Sequence, residues 1–244
     1  MSIPFDPYTY CHHPWAGKTV PWFPSDDIFT YKKNLENKKE LLEKYRWIGK
    51  RFDYKFNQQG FRSEEFNLTD SILALGCSYT MGVGLPLEFT WPDIISKKLN
   101  LQYYNLGVGS CSNDTTFKLA YHYIPKLKPK IVVLVSPEVE HLELIDGSKK
   151  EIKRFFPRLI KERPNDGDML FYKKWLNDPI NGKLNREKNR LAIEKLCENF
   201  KIKFVIRDHT DLRRDLDLAR DLQHPGILAQ KELAEKILLE LEKV

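Results

Sequence analysis

Residues 72–84 have the sequence ILALGCSYTMGVG, in which a short apolar run leads into a turn rich in small residues. The run from Ile72 to Leu75 is typical of a buried strand in a parallel sheet. The glycines that follow allow tight bends and the close approach of another molecule. We therefore expect a strand that ends in a turn carrying Ser78 at the carboxyl edge of a sheet, where open α/β sheets bind ligands.

Apolar runs and helical spacing alternate through the rest of the chain, which is the order of β-α-β units around a parallel sheet. The further predicted strands are Gln102–Asn105, Ile131–Val135 and Lys203–Ile206. The predicted helices of this part cover about Glu88–Leu99, Asp114–Ile124, Arg186–Asn199 and Ile227–Lys243. The predicted fold class is therefore α/β, a three-layer α/β/α arrangement with a mostly parallel, flavodoxin-like sheet.

The amino-terminal part is unusually aromatic. Residues 1–70 contain 15 of the 30 Phe, Trp and Tyr residues of the chain, too many for a disordered arm. Prolines break any early helix, and helical spacing is found near Lys33 to Tyr45. We predict an extension, residues 1–65, packed on one domain of residues 66–244. Trp15, Trp22 and Phe23 are expected to pack in the core, and a sugar-stacking platform is the alternative.

A long polar segment, about residues 141–185, follows the strand Ile131–Val135. Connections of this length usually shape a site. Residues 140–190 include 13 basic and 9 acidic residues, a net charge of +4. The pairs Lys149-Lys150 and Lys153-Arg154 could bind an anionic glycan, a lipid head group or a phosphate, and a solvated lid of mixed charge is the alternative.

Composition excludes several classes of protein. The 244 residues are 30% charged and 41% hydrophobic, as in an ordinary globular domain. The net charge of +6 is spread thinly, so we expect no nucleic-acid partner. No apolar run approaches the ~20 residues of a membrane span and no signal peptide is recognised, so a cytoplasmic protein is expected. Nothing in the sequence specifies an oligomeric state.

The four cysteines Cys11, Cys77, Cys111 and Cys197 are far apart. Reduced thiols are therefore expected rather than a disulfide framework or a zinc site. Cys11 is next to two histidines, but neighbouring residues rarely converge on one ion, so we predict neither a metal nor another cofactor.

Asp221 and His224 lie three residues apart, just before the last predicted helix. In a compact turn this spacing places a carboxylate beside an imidazole. A serine hydroxyl needs such an imidazole to take its proton, and the carboxylate orients the imidazole. The alternative interpretation is that Asp221 or Pro225 marks the start of a helix. His209, flanked by two aspartates, is a rival base, and His224 is preferred because an orienting carboxylate accompanies it.

A serine after the first strand and an Asp-x-x-His before the last helix resemble the SGNH hydrolases, a GDSL-like superfamily with a three-layer α/β/α fold. Gly76-Cys77-Ser78-Tyr79 is similar to the family's nucleophile block, although Cys77 stands where an aspartate is common. Residues 105–114 resemble the second block, in which we select Gly109 as the glycine whose amide lies in the oxyanion hole; another alignment places Ser110 there. Residues 57–62, with Asn57, Gly60 and Arg62, are similar to a stretch found ahead of the nucleophile strand in some members.

The third block departs from the family. Members usually carry an asparagine there that donates a hydrogen bond to the oxyanion, but here the strand leads into Ser136-Pro137-Glu138. Asn113 is a candidate substitute, with a helix cap as its alternative role. Removing one oxyanion donor typically costs about 10²–10³ in rate, so a slower catalyst is expected unless another group substitutes.

The resemblance implies a serine hydrolase that cleaves an ester, with an O-acetyl or short acyl group on a carbohydrate as a possible substrate. It assigns Ser78 as nucleophile, His224 as base and Asp221 as the carboxylate that orients His224. Ser78, Gly109 and Asn113 form the expected oxyanion hole. The alternatives are a non-catalytic module that binds a glycan or a protein, and an acyltransferase on the same scaffold. For Arg62, a structural carboxylate contact is preferred over a substrate contact.

Overall fold

The computed structural model describes residues 15–146, 151–163 and 166–243. Cys11, Lys149 and Lys150 lie outside these ranges, as do the two histidines that follow Cys11. The strands are β1 Thr19–Val20, β2 Tyr54–Lys55, β3 Ser71–Gly76, β4 Gln102–Gly107, β5 Ile131–Ser136, β6 Leu142–Asp146, β7 Glu151–Phe155 and β8 Lys203–Asp208. The α-helices are α1 Ile28–Asn37, α2 Lys39–Lys44, α3 Ser78–Met81, α4 Trp91–Leu99, α5 Asn113–Leu127, α6 Pro157–Glu162, α7 Gly167–Leu176, α8 Pro179–Asn199 and α9 Ile227–Leu241.

The central sheet has four strands in the order β4-β3-β5-β8, and all of its pairs are parallel. Alternate residues of β3 face opposite layers, as the two-residue period of a strand requires. Leu73 and Leu75 pack with residues of α5 and α8 on one face. Ile72 and Ala74 pack with residues of α4 and α9 on the other face. The predicted three-layer α/β/α fold with a parallel sheet is confirmed.

The predicted strands all form, and the helices differ mainly at their ends. The helix expected from Glu88 is divided, because Leu87–Phe89 is a 3-10 helix and Thr90 is extended before α4 begins at Trp91. The helix expected near Lys33 to Tyr45 is two helices, interrupted at Lys38. Helix α8 begins earlier than predicted, at Pro179, where Asp178 caps it. Caps and prolines thus set boundaries that apolar periodicity alone does not show.

The amino-terminal segment packs against the turn that follows β3. Phe23, Tyr54 and Phe56 form a buried cluster with Met81 and Val83 of that turn. A second cluster joins side chains of the α2 region to the loop before α9, and its buried members are Leu42, Trp47, Leu85, Ala219 and Leu222. The aromatic extension therefore touches both of the segments that carry the predicted site residues.

The segment after β5 has regular structure of its own. Strands β6 and β7 form an antiparallel hairpin that pairs Leu142 with Phe155, and α6 and α7 follow it. Phe155, Met169 and Tyr172 are buried together in a small separate core. Among the described residues, no helix combines the length and the apolar character needed to cross a membrane.

Candidate active site

Ser78 is the first residue of the short helix α3, directly after the carboxyl end of β3. The helix ends at Gly82, whose φ of 76° lies in the left-handed region that favours glycine. The buried Arg62 guanidinium stabilises this turn, because it donates hydrogen bonds to the carbonyls of Gly82 at 2.6 Å and Leu85 at 2.7 Å. Arg62 has the structural role that the sequence favoured, but its partners are backbone carbonyls rather than a carboxylate.

The loop before α9 folds around the Asp221 carboxylate. Its Oδ1 accepts the backbone N–H groups of Gln223 at 2.9 Å and His224 at 3.0 Å, which closes a compact turn. Its Oδ2 lies 2.5 Å from His224 Nδ1. The three-residue spacing brings the carboxylate and the imidazole together, because the Asp221 carboxylate binds both the backbone N–H and the ring of His224. The alternative, in which Asp221 caps a helix, does not occur, because α9 begins at Ile227 after Gly226.

The electrostatics of Asp221 favour its ionised form. Burial raises the pKa of this carboxyl, but the His224 ring and the two backbone N–H groups outweigh burial, and the pKa is lowered from its ordinary value. An ionised Asp221 accepts a hydrogen bond from the N–H group at Nδ1, which leaves Nε2 of the ring as an acceptor.

His224 connects Asp221 to Ser78. Its Nε2 lies 2.9 Å from Ser78 Oγ, and its ring packs edge-on against Tyr79 with 5.5 Å between centroids. The structure therefore brings together Ser78, His224 and Asp221, in the order that activates a serine. The rival base His209 lies at the end of β8, with its Nδ1 3.0 Å from an oxygen of Asp208.

The neighbouring thiol does not compete with Ser78. Cys77 is buried, and burial raises the pKa of its thiol to about 11. A thiol in this state is a poor nucleophile at neutral pH. Cys77 is the N-cap residue of α3, and the hydroxyl of Ser78 is the group that contacts His224.

A cavity of about 440 Å³ opens beside Ser78 and His224, within the size range of small-molecule sites. Its other lining residues are Trp15, Phe23, Pro24, Ser25, Val83, Gly109, Ser110, Arg154, Phe156, Arg158 and Gln223. Trp15 and Phe23 also pack on Phe56, as the core-packing interpretation predicts. The segment whose length predicts a role in shaping a site contributes Arg154, Phe156 and Arg158 to this lining.

The oxyanion candidates behave differently from one another. Ser78 and Gly109 both line the cavity. Within the described part of the chain, their backbone N–H groups donate to no backbone carbonyl. Asn113 is buried, is not among the lining residues, and donates its side-chain amide to the Pro137 carbonyl at 3.5 Å. The helix cap is Ser112, one residue earlier. The structure therefore does not bring Asn113 to the cavity.

The residues that follow β5, where the resemblance predicts an oxyanion donor, have other contacts. Glu138 Oε2 lies 2.9 Å from His141 Nε2, and this hydrogen bond lowers the pKa of Glu138 from its ordinary value. The other nitrogen of His141 lies 2.9 Å from the Cys111 carbonyl. This part of the described chain contributes no donor to the cavity lining.

Sequence reasoning missed a buried ion pair next to Asp221. Arg220 donates to both oxygens of Asp26, at 3.0 Å and 2.7 Å, and both side chains are 1% exposed. The Arg220 guanidinium also lies over the rings of Trp22 and Phe52. The aromatic content of the extension was a signal that it packs on the domain, but nothing local marked Asp26 as the partner of Arg220.

No protein-family model matches the chain, and comparison with curated proteins finds no significant match. Several solved structures resemble it. The esterase EstA of Pseudoalteromonas sp. is 16% identical, with a TM-score of 0.37, over 71% of this chain and 100% of that one. TesA is 16% identical, with a TM-score of 0.39, over 71% and 99%. The acetyl xylan esterase AlAXEase is 11% identical, with a TM-score of 0.34, over 70% and 98%.

A protein from Desulfitobacterium hafniense DCB-2, described as of the G-D-S-L lipolytic family, is also similar, at 14% identity and a TM-score of 0.36 over 69% of this chain and 98% of that one. Two of these four solved structures are described as esterases, and one as a member of the G-D-S-L lipolytic family. At identities and TM-scores this low, the likeness says nothing about what the chain does, and its function has to be inferred from its own site.

Proposed function

We propose that this chain is a serine hydrolase of the SGNH type that cleaves carboxylic esters. One observation carries the proposal: the hydrogen-bonded series from Ser78 Oγ through both nitrogens of His224 to Asp221, at 2.9 Å and 2.5 Å. These residues come from two distant parts of the chain and meet at the carboxyl edge of a parallel sheet. A cavity large enough for a small ester opens at the same place.

The reaction begins when Ser78 Oγ attacks the ester carbonyl carbon and His224 Nε2 takes the hydroxyl proton. Asp221 remains ionised and stabilises the imidazolium that forms. When the carbonyl re-forms, the ester C–O bond breaks and His224 returns the proton to the leaving alcohol. Water, deprotonated by His224, then attacks the acyl-serine and releases the acid and Ser78.

The tetrahedral intermediate carries a negative oxygen that must be stabilised. The backbone N–H groups of Ser78 and Gly109 line the cavity and are the donors that we propose for it. A side-chain donor at the third block is missing, so the rate should be lower than that of a site with three donors. An acyl group on a carbohydrate is the substrate class that we propose, because the flat apolar side chains of Trp15 and Phe23 line the same cavity.

Reaction with a fluorophosphonate, read by intact mass, tests the proposal. The wild-type protein should gain one phosphonyl group, and Ser78→Ala should gain none. Cys77→Ala is the matched control, because it removes the adjacent nucleophile and should keep the label. A folded wild-type protein that stays unlabelled, or a Ser78→Ala variant that is labelled, would contradict the proposal.

A non-catalytic binding module is the second candidate, and the third block favours it, because Ser136-Pro137-Glu138 offers no oxyanion donor. The labelling experiment separates the two, since a module without an activated serine does not react. If the serine is labelled, release of free acid in water distinguishes a hydrolase from an acyltransferase, which needs an alcohol acceptor.

A further inference from the structure

The cavity beside Ser78 has a one-sided charge. The described residues that line it include Arg154 and Arg158, and none of them is an aspartate or a glutamate. Asp221, the nearest carboxylate along the catalytic loop, is 1% exposed and lies behind His224. The side chains with a formal charge among the described lining residues are therefore cationic.

Both arginines are held by regular structure. Arg154 belongs to β7, which the pairing with β6 fixes in register. Arg158 lies in the first turn of α6, directly after Pro157. Its Nε donates to Glu162 one turn later at 2.8 Å, a contact that uses neither terminal nitrogen of the guanidinium. Phe156 lies between the two arginines in sequence and also lines the cavity.

Guanidinium groups have a specific chemical preference. Their planar N–H groups match the two oxygens of a carboxylate or the oxygens of a phosphate, and such charge-assisted hydrogen bonds are among the strong ones. A cleft lined by one sign of charge also concentrates ligands of the opposite sign. Arg154 and Arg158 come from one segment and line the cavity beside Ser78. They therefore select substrates by charge and do not take part in the reaction itself.

We propose that the substrate of this site is an ester that carries an anionic group, a carboxylate or a phosphate, bound by Arg154 and Arg158 while the ester carbonyl lies at Ser78. The ester part of this inference rests on the proposed function, whereas the anion site rests only on the residues that line the cavity. It gives the segment after β5 a role in specificity.

Equilibrium binding to the Ser78→Ala protein, measured by calorimetry, tests the inference without turnover. Two pairs of probes differ in one charge: an O-acetylated methyl glucuronoside against the matching glucoside, and methyl hydrogen succinate against dimethyl succinate. They place the carboxylate on the alcohol side and on the acyl side of the ester. O-Acetylated glucose 6-phosphate shows whether a phosphate is preferred to a carboxylate.

In at least one pair the anionic member should bind on the order of tenfold more tightly at low salt, and salt should reduce the preference. Arg154→Gln and Arg158→Gln together should abolish it. Lys161→Gln, which removes a charge of the same sign from α6 outside the cavity lining, should keep it.

Equal affinities within both pairs, and no tighter binding of the phosphate, would overturn the inference, as would a preference that survives in the double arginine variant. Failure of the proposed function gives a different pattern. In that case the wild-type serine stays unlabelled by fluorophosphonate, whereas the anion preference of Ser78→Ala remains.

Discussion

Arg220 and Asp26 form a fully buried, two-point ion pair one residue from Asp221, although they are 194 residues apart in sequence. Tyr54 also donates to Asp26, at 2.5 Å, and its hydroxyl accepts the N–H of Gly84 at 2.7 Å. The network therefore connects the amino-terminal segment, the turn after α3 and the loop before α9. We infer that it fixes the position of Asp221 relative to Ser78.

The first prediction concerns this ion pair. Asp26→Asn should lower the free energy of unfolding by about 3–5 kcal/mol, because it leaves the Arg220 guanidinium buried without its counter-charge. Asp26→Leu combined with Arg220→Met should recover most of this loss, because no buried charge remains. Urea unfolding of the single and double variants measures both effects. A double variant that is no more stable than Asp26→Asn would contradict this prediction.

The second prediction concerns the pH dependence of stability. The folded pKa of Asp221 is below its ordinary value, so the folded state binds this proton more weakly than the unfolded state. The carboxylate therefore contributes stability above the unfolded pKa of about 3.9, and the contribution is lost as the pH falls through the lower folded pKa. Asp221→Asn should be destabilised at neutral pH, and the difference from wild type should shrink below about pH 4.

Urea unfolding at a series of pH values checks this result. The exposed Asp53→Asn variant controls for the loss of one negative charge at the surface. A difference between wild type and Asp221→Asn that grows towards acid pH would mean that burial, and not the contacts with His224, dominates the pKa of Asp221.

The third prediction separates Gly107, the last residue of β4, from Gly109 in the loop that follows. A Cβ added to Gly107 would lie 2.4 Å from the backbone nitrogen of Met81 in α3, whereas a Cβ at Gly109 would meet nothing within 4 Å. Gly107→Ala should therefore destabilise the protein by about 1–3 kcal/mol, because backbone cannot move aside easily. Gly109→Ala should change its stability little. Thermal unfolding of both variants checks the contrast, and equal melting temperatures would refute it.

Local sequence predicted the parts of this site that depend on short-range geometry. Ser78 follows a buried strand, and the turn between Asp221 and His224 closes on hydrogen bonds within four residues, so the strand pattern and the spacing identified them. The pair of Asp26 and Arg220 could not be found in this way, since any of many aspartates could meet any of many arginines across the chain. The charge of Lys153-Arg154 indicated an anion site, but the position of Arg154 and Arg158 beside Ser78 depends on how β7 and α6 pack and has no local signal.

The last prediction concerns Asn113, which the sequence offered as an oxyanion donor. Its side-chain amide donates to the Pro137 carbonyl, so its loss should leave a buried carbonyl without that partner and cost about 1–3 kcal/mol in stability. Asn113→Ala should change kcat less than tenfold, whereas loss of a true oxyanion donor typically lowers kcat by about 10²–10³.

Steady-state kinetics at a temperature well below unfolding, with the ester that gives the highest rate, measure the effect of Asn113→Ala on kcat. Asn113→Asp serves as a second variant, because it keeps the size of the side chain but removes the amide donor. A fall in kcat of a hundredfold or more in both variants, with KM unchanged, would mean that Asn113 turns towards the oxyanion when substrate binds. A fall in stability with kcat retained would assign Asn113 to the packing of α5 against the loop after β5, and would leave the amides of Ser78 and Gly109 as the donors.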